Sequence, residues 1–198
     1  KLREKMHIPF VVYEGYMESA GNLVNIKSDH FDGGVQAGRY LKSRGHRDVL
    51  CIADNNTCMD RERYTGLKSE ISDAELMVIP MEQEARRVFY MEHLEEIKKY
   101  TAVFAVSDHY AMDLIQFLKS AGVSVPEDMS VVGFDNVREC EKFIPALTTI
   151  KQKNEQRAAL AVKTLHQLRN GECRDTDLLL PVTLVERDSV REVKLHKD

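Results

Sequence analysis

Short runs rich in Val, Ile and Phe alternate with amphipathic stretches along this chain, and that alternation restricts the fold more than any other feature. The runs cover residues 8–13, 49–53, 76–79, 102–106, 130–134 and, more polar, 179–185. A strand buried on both faces of a parallel sheet reads as an unbroken apolar run, because crossover helices cover both faces. The pattern therefore predicts βα units and an α/β fold with a mostly parallel sheet.

Between the runs, helical spacing is explicit. Ala111, Leu114, Ile115 and Leu118 recur at i, i+3, i+4 and i+7, and Gly122 followed by Pro126 stops the pattern. Ala158, Ala161, Val162, Leu165 and Leu168 repeat it before Gly171, with Asn154 or its neighbour as the N-cap. Phe31, Gly34, Val35, Gly38 and Leu41 form a stripe whose glycines permit close packing against a sheet. Two more polar helices are expected over 61–71 and 84–100, and the charge of 82–99 marks a solvated face.

Composition narrows the function. No apolar run approaches the ~20 residues a membrane helix requires. A net charge of −4 argues against these 198 residues gripping nucleic acid unaided, since phosphate binding needs a clustered basic face. Cys51, Cys58, Cys140 and Cys173 are scattered without zinc-ligand spacing, so free thiols in a reducing cytoplasm are expected, with no metal and no cofactor. The start, KLREKMHIPFVV, has too short an apolar part for a signal peptide and reads as the middle of something longer.

In an open parallel sheet, ligands gather at the carboxyl ends of strands. Asp54 with Asn55 and Asn56, Ser107 with Asp108, and Asp135 with Asn136 occupy three such ends. Such residues are also preferred N-caps, and Asp108, directly before a strong helix pattern, is assigned that role. Asp135 is harder to explain as a cap, because Gly133 lets the backbone turn close by and the next stretch is a weak helix former. Arg63 lies on the first turns of the helix after the Asp54 strand, where its fork either reaches a cleft or lies on the surface. His46 follows a helix-ending Gly, and a capping or surface role is expected. No GxGxxG, GxxxxGK[ST], GxSxG or HExxH occurs, so an enzyme is not expected. Phosphoryl transfer at Asp54 or Asp135 lacks the acid clusters that hold Mg²⁺.

Five stretches in register carry a resemblance: SDHFDGGVQAGRYLKSRGHRDVLCIAD, RERYTGLKSEI, AVFAVSDHYAMDLIQFLKSAGVSVPEDMSVVGFDN, IPALTTIKQ and LPVTLVERDSV. In this order they resemble the effector-binding core of lac-repressor-like (LacI/GalR) transcription regulators. The resemblance implies a two-lobed periplasmic-binding-protein-like α/β fold (type I) with an incomplete first lobe. By analogy that lobe comprises residues 1–46 plus 151–181, and the second comprises 47–150 plus 182–198. The family's helix-turn-helix domain and first two strand-helix units are absent from this chain.

The same resemblance implies the site residues. Asp32 reaches the ligand from the first lobe, and Arg63 with Asp135 holds two vicinal hydroxyls of a sugar. Ser107 stands where many members carry Asn or Asp. Gln152 and Asn154 lie on a crossing segment that lines the cleft, and Met112 and Phe143 fall in regions resembling the dimer interface. The function implied is the sensing and dimerisation core of a cytoplasmic regulator, a repressor, with a carbohydrate effector. It implies a homodimer, no membrane, and operator DNA contacted only through the N-terminal domain. The alternative is a solute-binding protein of a sugar ABC transporter.

Overall fold

The computed structural model describes residues 8–15, 17, 22–54, 57–172 and 177–193. Residues 1–7, Asn55, Asn56 and Cys173 lie outside the described residues. The chain divides into two compact units, residues 1–29 with 152–182, and residues 30–151 with 183–198. Among the described residues no helix is long and apolar enough to cross a membrane, and no cluster of His, Cys, Asp or Glu is arranged to hold a metal ion.

The first unit holds a parallel sheet in the order β1-β2-β8, with β1 at Phe10–Tyr13, β2 at Leu23–Ser28 and β8 at Asp177–Leu180. Helix α6, Asn154–Arg169, covers it, and Leu160, Ala161 and Leu168 pack against Val24, Ile26 and Leu180. The expected stripe is only half used, because Val162 and Leu165 are exposed. Lys153 occupies the N-cap position without a side-chain bond, and Asn154 is the first helical residue.

The second unit is a six-stranded sheet in the order β4-β3-β5-β6-β7-β9, parallel except where β9 joins antiparallel. Its strands are β3 Val49–Ala53, β4 Glu75–Val78, β5 Ala102–Ala105, β6 Ser130–Asp135, β7 Thr148–Lys151 and β9 Thr183–Val185. All five residues of β3 and all four of β5 are buried, as unbroken apolar runs require. Its helices are α1 His30–Ser43, α2 Cys58–Glu70, α3 Gln83–Glu92, α4 Leu94–Ile97 and α5 Asp108–Ser120. One sheet face packs against Ala111, Leu114, Ile115 and Leu118 of α5, the residues whose spacing marked that helix. The single polar helix expected over 84–100 is interrupted at His93, whose ring nitrogen Nδ1 donates to the Phe89 carbonyl at 2.8 Å.

Strands β2 and β7 escaped the sequence reading. LVNIKS and TTIK carry Asn, Lys and Thr in place of an apolar run, yet nearly all their residues are buried. Thr148 and Thr149 satisfy their polar atoms with Arg187, Ser189 and Asp108, so burial costs them no hydrogen bonds. Helix α1 also groups with the second unit, whereas the analogy placed residues up to His46 in the first lobe. The reason is its glycines. A Cβ on Gly34 would lie 2.0 Å from the Arg63 carbonyl oxygen, and one on Gly66 would lie 2.0 Å from that of Phe31. These glycines bring α1 against α2 rather than against a sheet, with backbones nearly touching.

His46 is buried and structural, not a cap or a surface group. Nδ1 lies 2.9 Å from Thr101 Oγ1 and Nε2 lies 3.1 Å from the Arg191 carbonyl, tying the end of the chain to the sheet. Burial pushes its pKa below the usual value. The folded protein therefore favours the neutral ring, while the unfolded chain takes up a proton below about pH 6.5. Stability should fall as pH drops through that value, and a His46→Gln chain should show a shallower slope in melting temperature between pH 7.5 and 5.5. Parallel slopes in the two chains would rule out His46 as the cause.

Candidate functional site

The carboxyl ends of β3, β5 and β6 surround an open pocket of about 330 Å³ within the second unit. Helix α2 delivers Arg63 to it. Thr57 caps that helix by accepting from the Asp60 N–H at 3.1 Å, and Arg63 lies on the buried face of the helix with Gly66 and Leu67. Arg63 is only 8% exposed, and its guanidinium lies 3.8 Å from the centre of the Phe134 ring. It donates to the Val106 carbonyl, while Nε and Nη2 lie 3.2 and 3.1 Å from His30 Nδ1. Burial lowers its pKa, and Asp135, the largest opposing charge, raises it. Its oxygen Oδ1 stands 3.9 Å from Nη2.

Asp135 ends β6 with φ +120°, a conformation that side-chain-bearing residues rarely adopt, and Asn136 follows at φ +57°. The turn is therefore made at Asp135 and Asn136, two residues beyond the Gly133 to which the sequence reading assigned it. Gly133 serves a different purpose. A Cβ there would lie 2.3 Å from Asp108 Oδ1, so only glycine lets the strand pass that carboxyl. A 3₁₀ helix, Arg138–Glu141, continues the chain.

Ser107 lines the pocket and caps α5, accepting from the His109 N–H at 3.3 Å. Asp108, assigned to the cap from sequence, is instead the first helical residue, and its side chain points into the β6–β7 region. Asp54, Asp60 and Tyr110 also line the pocket, with the Tyr110 hydroxyl donating to Asp54 Oδ2 at 3.0 Å. Burial, and then a hydrogen bond with Asp54, raises the Asp60 pKa. A bond between two carboxyls requires one of them to keep its proton.

Other expected site residues lie elsewhere. Asp32 sits in the first turn of α1, accepts from Gln36 Nε2 at 2.7 Å and does not line this pocket. Gln152 and Asn154 belong to the first unit, where Arg157 donates to Gln152 Oε1, Asn154 Oδ1 and Ser28 Oγ, each at 2.7 Å, and to Glu14. Met112 and Phe143 line a separate depression of the second unit, beside the ion pair of Arg86 and Asp113. The sequence reading missed His30 and Phe134. His30 stands two residues before the recognised Asp32, and Phe134 looked like any strand residue.

Residues 39–190 match the model of the periplasmic binding protein-like domain. The chain belongs to that family. It is 34% identical over 202 aligned residues to the HTH-type transcriptional repressor PurR of Edwardsiella ictaluri (strain 93-146), covering 96% of this chain and 59% of that protein. The chain thus spans about 59% of the length of the curated relatives it matches. Among solved structures, it resembles a LacI family transcriptional regulator from Enterococcus faecium with bound ribose, at TM-score 0.86 and 29% identity. That likeness covers 97% of this chain and 74% of the other. It also resembles the dimeric Lac repressor with an 11-residue C-terminal deletion, at TM-score 0.81 and 25% identity, covering 93% and 69%. Family membership accounts for the α/β architecture, and the resemblance read from the five motifs agrees with these relatives.

Proposed function

We propose that this chain is the effector-sensing and dimerisation core of a cytoplasmic LacI-type transcriptional regulator, a repressor whose effector is a sugar or a related polyol. The observation that carries the reading is the pairing of Arg63 and Asp135 in the pocket. The stacked guanidinium offers fixed donors and the carboxylate accepts, so two neighbouring hydroxyls match the pair in geometry and charge. Ser107 adds a hydroxyl at the rim.

Effector binding acts by differential affinity: the state that grips the ligand gains population, and operator affinity changes by the reciprocal coupling. Operator DNA is contacted by a helix-turn-helix domain outside this sequence. Met112 and Phe143, with the depression they line, belong to the face where two copies pair. The regulator reading is favoured over a transporter's solute-binding protein by the similarity to PurR repressors and by the ribose-bound regulator. The site is assigned no chemistry on its ligand.

A thermal-shift and calorimetric screen of ribose, xylose, arabinose, glucose and galactose tests the reading. A true effector at one hundred times its Kd should stabilise the chain by about 2.7 kcal/mol. For a chain of this size that is roughly 5–11 °C in melting temperature. If no sugar in the panel raises the melting temperature, the pocket is not a sugar site.

A further inference from the structure

We infer that Asp108 is a positioning residue for effector binding: its buried carboxylate holds the turn that aims Asp135 at Arg63. The inference rests on the sugar-site reading of the Arg63–Asp135 pocket. Asp108 is fully buried and gathers donors from separate parts of the fold. It accepts from the Val137 N–H at 2.9 Å, from the Cys140 thiol at 3.1 Å, from the Thr149 hydroxyl and from the Asn136 backbone. Those groups belong to the turn after β6, the 3₁₀ helix and β7, so one side chain ties the whole segment around Asp135 to the start of α5.

The segment needs such a tie. Asp135 and Asn136 both have positive φ, and a non-glycine backbone in that region persists only where its surroundings over-determine it. The bonds to Asn136 and Val137 clamp the two amides that immediately follow Asp135. The glycine at 133 completes the arrangement, since any larger residue would displace the Asp108 oxygen. Helix capping does not require Asp108, because Ser107 already performs it. The cluster also dictates the residue type. Asn would fit the space, but its amide NH₂ would face groups that are themselves donors.

The test uses the full chain, the tightest-binding sugar of the panel, and that sugar's monodeoxy analogue lacking one of the two neighbouring hydroxyls. Wild-type protein should prefer the parent sugar, and Asp135→Asn should erase most of that preference. Asp108→Asn should lower affinity for the parent about 10- to 100-fold while changing the deoxy sugar little. Asp108→Asn combined with Asp135→Asn should bind no more weakly than Asp135→Asn alone, as expected for residues acting through one another. Should Asp108→Asn fail to fold, Thr149→Val removes one donor, keeps the carboxylate, and should reduce the preference several-fold. Equal weakening of parent and deoxy sugars would reduce Asp108 to a structural residue, and additivity with Asp135→Asn would also overturn the inference. A wild-type chain that binds no sugar would instead remove the pocket reading on which it stands.

Discussion

Gly66→Leu is expected to lose roughly 3 kcal/mol or more, or to fail to fold cooperatively. A Cβ at this position would sit 2.0 Å from the Phe31 carbonyl oxygen and 2.9 Å from the Val35 nitrogen. Both atoms are backbone of α1, so no rotamer change relieves the clash and the two helices must separate. Separation strips the sheet face beneath them of packing and moves Arg63, whose own carbonyl oxygen touches Gly34. In a chain of this size the loss corresponds to a fall of roughly 6–12 °C in melting temperature. Gly122→Ala provides the contrast. Gly122 has φ +76° but nothing within 4 Å of a Cβ, so only the backbone penalty of about 1 kcal/mol applies. A Gly66→Leu chain that melts within a degree or two of Gly122→Ala would show that the helix crossing tolerates a side chain.

Arg63→Ala should cost effector binding about 2–5 kcal/mol, a weakening of roughly 30- to 5,000-fold. The substitution removes the donor fork, uncovers the Phe134 ring and takes the guanidinium away from the Val106 carbonyl and from Asp135 at the pocket wall. Arg63→Lys separates charge from shape. Lysine keeps the positive charge beside Asp135 but cannot stack flat on Phe134 while donating to both Val106 and His30. It should therefore recover only part of the affinity in calorimetry. Affinity in Arg63→Lys equal to that of the natural chain would mean that Arg63 supplies charge alone. Unchanged affinity in Arg63→Ala would refute the site assignment.

Asp135 stood out in the sequence because it ends an apolar strand, and Arg63 through its motif's resemblance to the family; the structure brings the two within 3.9 Å in one pocket. What surrounds them was not legible in the sequence. His30 sits 33 positions from Arg63, and Phe134 looks like any other strand residue until the guanidinium lies across its ring. Asp108 misled for a related reason. An acid before a helix is ordinarily a cap, and only the approach of β6, β7 and the 3₁₀ helix converts it into a hub. The strands β2 and β7 were hidden because their polar residues are satisfied by distant partners, which a local apolar pattern does not register.

Hydrophobic period is a local property, so the chain's own pattern was enough to establish an α/β architecture, the buried strands β3, β5 and β6 and the packed face of α5. The grouping of α1 with α2 was decided in three dimensions, by which backbone each glycine approaches. So were the burial of Arg63, the turn at Asp135 and the role of Asp108. Each depends on contacts between residues far apart in sequence, and such contacts exist only once the sheet has brought the strand ends together.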